Sequence, residues 1–507
     1  MIAKIFSFSL IGLKGIPIEL EVDVSNGLPA FDIVGLADTA VKESKERVRS
    51  AIKNSGFSVP TRRLTANLAP ADVKKEGSSL DLALSIGVLK ASGQLVAETD
   101  GIVFLGELSL DGSLRRINGV LPTLISALSE GYKKFIIPKG NEREASFVNG
   151  IEVVTAENLK QVVDHLSGLA PIKPLILQEY LSNKNESVYD SDMSLVKGQA
   201  VAKRALEVAV SGGHNLLFVG APGTGKTMLA KCIPTIMPDM TFQEALETTK
   251  IHSIAGMLKD ADGIVLTRPF RSPHHTATTV AMTGGGSSLK PGEISLAHNG
   301  VLFLDEMPEY NRSTLEALRQ PLEDGVISVS RATGKVDYPA NFMLCGSMNP
   351  CPCGNYGSSD KVCTCSPSQI SKYKAKISGP LLDRIDIQVE VDSVKYTELI
   401  DNEVAESSKV IRERVNRTRL IQKERFINDG ILTNSDMGEK HIKKYCKLNS
   451  QCEEVLKNAY DSLHLSPRAR SRIIKVARTI ADMNLYEDIR VEHILEAISY
   501  RHSDGTL

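Results

Sequence analysis

Gly220-Ala-Pro-Gly-Thr-Gly-Lys226-Thr227 is the stretch on which the fold of this chain turns. It fits G-x-x-x-x-G-K-[ST], a loop that cradles phosphate groups. The apolar run Asn215-Leu-Leu-Phe-Val219 before it reads as a buried strand, and Met228-Leu-Ala-Lys-Cys-Ile233 after it as the start of a helix. Glycine lets the backbone fold tightly enough for successive N–H groups to face phosphate oxygens. The helix N-terminus adds its partial positive charge. Gly220, Ala221, Pro222, Gly223, Thr224 and Gly225 are therefore the expected cradle for ATP. Lys226 is placed for the β- and γ-phosphates, and Thr227 for a Mg²⁺ ion through its hydroxyl.

Two later strands add to this loop. Val301-Leu-Phe-Leu304 ends in Asp305-Glu306. An acidic pair at the carboxyl end of a strand, in a phosphate-loop protein, reads as a Walker B site, the alternative being a plain loop pair. Asp305 then binds Mg²⁺, directly or through water, and Glu306 polarises the attacking water. Phe342-Met-Leu-Cys-Gly346 leads to Ser347-Met-Asn349-Pro350, where Asn349 can bond the attacking water or the γ-phosphate, although Asn-Pro is also a turn signal. In Gly379-Pro-Leu-Leu-Asp-Arg384-Ile-Asp386, Arg384 is either a salt-bridge partner at a domain edge or, in a ring, a donor to the neighbour's γ-phosphate. Arg468, in Ser466-Pro-Arg468-Ala, is either part of a solvated basic face or a contact to the nucleotide from the lid side.

Composition sets limits. A chain of 507 residues holds two to four domains, and 42% hydrophobic with 24% charged residues is ordinary for a soluble globular protein. The net charge of −1 means that any nucleic-acid contact must come from a local patch. No apolar run approaches the roughly 18 residues of a membrane span, and the first residues lack a signal-peptide pattern. Eight cysteines in so long a chain do not suggest a secreted disulfide scaffold. A cytosolic protein, cytoplasmic and without a membrane partner, is expected.

The chain divides at composition shifts. Residues 1–168 alternate strands (Ile18–Val24, Leu64–Leu68, Gly101–Leu105) with helices (Asp38–Asn54, Ser78–Ala91). Residues 169–193 contain Pro171, Pro174 and the polar run Ser182–Ser187, a linker composition. Residues 194–395 hold the phosphate loop with several strand–helix units, which predicts a doubly wound parallel sheet. Residues 396–507 read as helices over Ser407–Phe426, Ser435–Leu448, Gln451–His464, Ser466–Met483 and Val491–Arg501, the fourth capped by Ser466 with Pro467 just inside.

Phosphate loop, Asp-Glu, Asn, Leu-Leu-Asp-Arg and Ser-x-Arg, in this order and spacing, resemble AAA+ ATPases. Four further strings resemble the magnesium-chelatase-like branch and within it the YifB/ComM family: Arg268-Pro-Phe-Arg-Ser-Pro-His-His275, Gly284-Gly-Gly286, Pro291 through Glu306, and Cys351-Pro-Cys-Gly354. The resemblance covers nearly the whole chain. It implies Arg384 as arginine finger, Arg468 as sensor 2, and Val196-Lys-Gly-Gln199 beside the adenine. It also implies a ring, usually a homo-hexamer, with ATP between subunits. In the first domain, Gly106–Gly119 and Gly131–Pro138 resemble the proteolytic domain of Lon. Ser79 aligns with the Lon nucleophile, but the lysine position falls on Leu121, so an α/β Lon-like fold without peptidase activity is expected.

Seventy-nine positions separate Lys226 from Asp305, more than one strand–helix unit needs. The surplus, about Ile251–Ala297, resembles the helix-2 insert of this branch. It contains His274 and His275, read as packing or inter-subunit contacts before metal ligands. Val326–Pro339 alternates on both sides of Ala-Thr-Gly-Lys and reads as a β-hairpin resembling the pre-sensor-1 hairpin. Arg331 and Lys335 on it are either DNA-phosphate contacts or ordinary surface charges. Cys351, Cys353, Cys363 and Cys365 are either a Zn²⁺ site or free thiols. The resemblance implies an ATP-driven ring motor and DNA helicase acting on single-stranded or branched DNA. A chelatase-type motor that remodels a protein partner is the rival, with the Lon-like domain counting against it, and a non-motor scaffold is the third reading.

Overall fold

A hairpin of Ile2–Ile11 and Lys14–Ser25 forms the middle of the first sheet, with Ile2 opposite Asp23 and Ile11 opposite Lys14. The structure is a computed structural model; it describes residues 2–501 except 73–74, 76, 181–188, 259–262, 287–288, 332–333, 358–360, 395–404 and 464. The sheet has seven strands in the order Ala30–Val34, Arg63–Ala69, Lys14–Ser25, Ile2–Ile11, Ile102–Phe104, Lys134–Pro138, Glu152–Ala156. Lys14–Ser25 is antiparallel to both neighbours, and the remaining pairs are parallel. Alternation along the second strand sends Ile18, Leu20 and Val22 inward. The helix Asp81–Ala91 packs there, close enough that a Cβ on Gly87 would lie 2.6 Å from Val22 Cγ2. Asp38 caps the helix Thr39–Asn54 by accepting from the Val41 N–H at 2.8 Å.

Three strands expected from sequence are present, but four others in this sheet went unread: Ile2–Ile11, Ala30–Val34, Lys134–Pro138 and Glu152–Ala156. Three of these are five-residue runs, too short for periodicity to separate strand from helix. The helix expected from Ser78 begins at Asp81, because Gly77 at φ +83° and the two serines form the turn before it.

The second sheet is fully parallel, in the order Phe270–Arg271, Val301–Leu304, Met343–Met348, Leu216–Val219, Ile387–Glu390. Every residue of its three central strands is buried, as a sheet covered on both faces requires. This is the expected doubly wound arrangement. The surplus before Asp305 is smaller than expected, which corrects the insert's boundaries. Helix Phe242–Ala255 runs through the expected start of the insert, and Phe270–Arg271, inside its expected bounds, is the edge strand of the parallel sheet. What remains is a short helix Thr279–Thr283, a two-residue ladder between Gly284–Gly285 and Lys290–Pro291, and a turn of helix at Glu293–Leu296.

The C-terminal segment is helical: Ser408–Arg425, Glu439–Tyr445, Ser450–Ser462, Pro467–Met483 and Val491–Ser499. The second is shorter than the expected Ser435–Leu448, because Asn434–Asp436 forms a separate turn and Gly438 breaks the run. Ile473 and Ile480 share one hydrophobic core with Leu206, Ile233 and Phe218 of the parallel-sheet layers. The Lon-like part also touches these layers. The Ser253 hydroxyl accepts from the Gly119 N–H at 3.0 Å and donates to Glu144 at 2.9 Å. At Gly12, φ +58°, a Cβ would sit 2.2 Å from Val336 of the second-half hairpin.

Candidate nucleotide site

Leu216–Val219 delivers the glycine loop to the carboxyl edge of the parallel sheet, and the helix Lys226–Ile236 leaves it. Gly220 must lack a side chain, since a Cβ there would lie 2.3 Å from the Val391 carbonyl oxygen. Gly223 and Gly225 are required for a different reason: they sit at φ +83° and +91° with open space beyond the Cβ position. That pairing, tight behind and open in front, suits a polyphosphate lying over backbone N–H groups.

Lys226 is buried, and its Nζ donates to the carbonyls of Gly220 at 2.6 Å and Ala221 at 2.8 Å and to Asn349 Oδ1 at 3.3 Å. Burial lowers its pKa, with Asp305 and Glu306 opposing. The Thr227 hydroxyl donates to Asp305 Oδ2 at 2.9 Å. A hydroxyl beside a carboxylate is a hard-oxygen donor pair of the kind Mg²⁺ takes. Four of the expected residues, Lys226, Thr227, Asp305 and Asn349, thus converge from three adjacent strands.

Glu306 follows at φ +50°, one of two non-glycine site residues in left-handed backbone; the other is Gln199 at φ +58°. Non-glycine residues are uncommon there, and the strain is of order 1–3 kcal/mol each. Two neighbours of this acidic pair were missed from sequence. The Ser347 hydroxyl donates to Asp305 and accepts from the Glu306 N–H at 3.2 Å. His275 Nδ1 lies 3.7 Å from Glu306 Oε2, with the His274 ring 4.1 Å away, so these histidines pack beside the acidic pair. Serine after a buried strand carries little signal by itself, and the proximity of His275 depends on a loop 31 positions earlier.

A pocket of about 1200 Å³ adjoins the loop, lined by Gly220–Gly225 on one side and by Leu195, Val196 and Gln199 on another. The Gln199 amide donates to Asp392 O at 2.5 Å and Thr224 O at 3.3 Å, tying this wall to the loop. Asn355, Tyr356 and Lys361 line the same pocket.

Arg384 has its side-chain partners outside the Lys226–Asp305 cluster. Its guanidinium pairs with Glu323 and donates to Pro380 O at 2.8 Å, which supports the salt-bridge reading within the chain. Arg468 is exposed on the first turn of Pro467–Met483, and it makes no ion pair or hydrogen bond among the described residues. Asp386, two positions after Arg384, is buried between Arg472 and His214, whose Nδ1 is 3.1 Å away. Burial would raise this carboxyl, but Arg472 and His214 outweigh it and hold it well below the usual range. The helix Pro467–Met483 is thereby joined to the chain two positions from Arg384.

The four clustered cysteines meet with all Sγ atoms within 4.8 Å of one another. The hairpin Val326–Arg331/Gly334–Pro339 forms as expected; the Arg331 side chain lies outside what is described, and Lys335 is exposed, 3.7 Å from Asp337.

Three family models divide the chain. "Magnesium chelatase, subunit ChlI" matches residues 192–399, "Subunit ChlI of Mg-chelatase" residues 20–141, and "Magnesium chelatase, subunit ChlI C-terminal" residues 405–501. The competence protein ComM of Haemophilus influenzae is 43% identical over 99% of this chain and 97% of its own, and the protein YifB of Escherichia coli is 43% identical over 98% and 96%. The chain belongs to the YifB/ComM family. A shorter similarity, 27% identity over 29% of the chain, is to Lon protease 2 of Bacillus subtilis. YifB/ComM membership places the chain among magnesium-chelatase-like AAA+ proteins with ATP and Mg²⁺ as the implied ligands. A model bearing the chelatase name thus also matches residues 20–141, in the part of the chain expected to be Lon-like. Among the described residues no helix is long and apolar enough to cross a membrane.

Proposed function

We propose that this protein is an ATP-hydrolysing ring motor that acts on DNA. The convergence of Lys226, Thr227, Asp305 and Asn349 at one sheet edge carries the ATPase part. In this reading the loop N–H groups and Lys226 hold the phosphates. Thr227 and Asp305 hold Mg²⁺, which when bound neutralises charge on the transferring phosphoryl group. Glu306 orients the attacking water and takes its proton, and Asn349 bonds the same water or the γ-phosphate. Arg384, by exchanging Glu323 for a neighbouring subunit's γ-phosphate, supplies the finger that a homo-hexamer requires, and Arg468 contacts the nucleotide from the lid. Zn²⁺ at Cys351, Cys353, Cys363 and Cys365 belongs to the same reading. The Lon-like part is not a peptidase. Lys75, the lysine nearest Ser79 in sequence among the described residues, is buried and donates to the Pro70 carbonyl, and Leu121 stands at the dyad position.

The DNA part rests on the Haemophilus relative being a competence protein and on the exposed Lys335, which pairs with Ser330 near the hairpin turn. ATPase rates with forked and three-stranded DNA test it: stimulation is expected, with unwinding of the labelled strand. A rate that neither substrate changes would favour a chelatase-type, protein-remodelling motor instead.

A further inference from the structure

The cysteine cluster adjoins the nucleotide pocket, with Cys353 on its lining and the other three sulfurs within 4.8 Å of that one. Cys351 follows Asn349 by two positions, and Asn349 accepts from Lys226. Gly354, at φ +80°, presses on the phosphate loop so closely that a Cβ would lie 2.5 Å from Pro222 Cδ. Cys353 itself, with Asn355, Tyr356 and Lys361, lines the same pocket as Val196 and Gln199. The segment has no helix or strand among its described residues between Met348 and Pro367, so its own backbone bonding does not hold it there.

The sulfurs are arranged as metal ligands are. Cys351 Sγ is 3.3 Å from Cys353 and 3.7 Å from Cys363, and Cys353 is 3.6 Å from Cys363. Tetrahedral Zn²⁺ with Zn–S bonds near 2.3 Å sets its sulfurs about 3.8 Å apart, whereas a disulfide needs about 2.05 Å. Backbone N–H groups also face the sulfurs: Tyr356 donates to Cys351 at 3.3 Å, and Asn355 and Thr364 donate to Cys353. Such donors stabilise thiolate ligands.

Resting on the zinc reading above, we propose that Zn²⁺ held by Cys351, Cys353, Cys363 and Cys365 fixes the pocket wall supplied by Asn355, Tyr356 and Lys361, so that nucleotide affinity depends on the metal. The metal acts by position: it holds Gly354 against Pro222 and Tyr356 over the pocket, and it takes no part in phosphoryl transfer.

Zinc content and affinity for a fluorescent ADP analogue, measured on the full chain before and after a strong zinc chelator, test this. About one zinc per chain is expected, with stripping weakening ADP-analogue binding about tenfold and added Zn²⁺ restoring it. Zinc near zero in protein purified in metal-free buffer, with none taken up on addition, removes both the zinc reading and the inference. Zinc present while stripping leaves affinity within about twofold overturns the inference alone. If stripping unfolds the chain, Tyr356→Ala decides: weaker analogue binding with zinc retained supports the wall, and unchanged binding overturns it.

Discussion

Lys226 and Ser79 occupy comparable places. Each follows a glycine held at positive φ, Gly225 at +91° and Gly77 at +83°, and each lies at the start of a helix packed on a sheet. Around Lys226 three strands bring a carbonyl pair, Asn349 and the Asp305–Thr227 pair together. Around Ser79 only the backbone is engaged, its carbonyl accepting from Gly106 N–H at 2.9 Å, and among the described residues its hydroxyl has no partner. Turn and helix are thus common to both, and what separates them is the convergence of charged groups from elements far apart in sequence.

The largest effect that would break this contrast is at Arg384. Arg384→Ala should lower kcat by about 10³-fold, the scale of an arginine finger. Mixing it with Glu306→Gln subunits should recover part of the activity, since the Arg384 of a Glu306→Gln subunit then completes the site of an Arg384→Ala neighbour. No recovery would mean that Arg384 serves only its own chain through Glu323.

Asp386→Ala comes next, leaving Arg472 and His214 without their carboxylate, with a loss of about 3 kcal/mol measured by denaturant titration. Its pH behaviour has a definite sign. The folded carboxyl titrates below its unfolded value of about 3.9, so its contribution is complete above that value. The contribution fades as pH falls through the lower folded value. Melting temperature should therefore fall on acidification below about pH 4 in the parent, and less steeply in Asp386→Asn. Equal slopes would remove the assigned network.

Glu306→Gln should retain ATP binding and slow turnover about 10²-fold, and unchanged turnover would contradict its role as base. The smallest effect belongs to the other sheet. Ser79→Ala should leave the ATPase rate unchanged, and a serine-reactive probe should label neither form. Labelling of the parent that the variant abolishes would show a working nucleophile and erase the contrast.

Much of the second sheet was legible, because each of its parts carries a local cause. The loop has its glycines, Val301–Leu304 and Phe342–Cys345 are continuous apolar runs, and Ser466 caps its helix by accepting from Ala469 N–H at 3.2 Å. The first sheet is less legible, since three of its strands are five-residue runs with little period and its pairings reach partners up to about a hundred residues away. Phe270–Arg271, inside the expected insert, becomes a strand only by lying beside Val301 and Leu302, so no local pattern marks it.

By itself the sequence determined which groups are available for phosphate, Mg²⁺ and thiolate chemistry, because residue type and spacing along one turn fix what a backbone loop and its own side chains can bind. Tertiary structure alone decided which groups meet. Ser347 and His275 flank the acidic pair, Asp386 joins the lid to the sheet, and the cysteine segment rests on the phosphate loop. Each of these contacts depends on strand order and close approach between distant segments, and no local pattern encodes them.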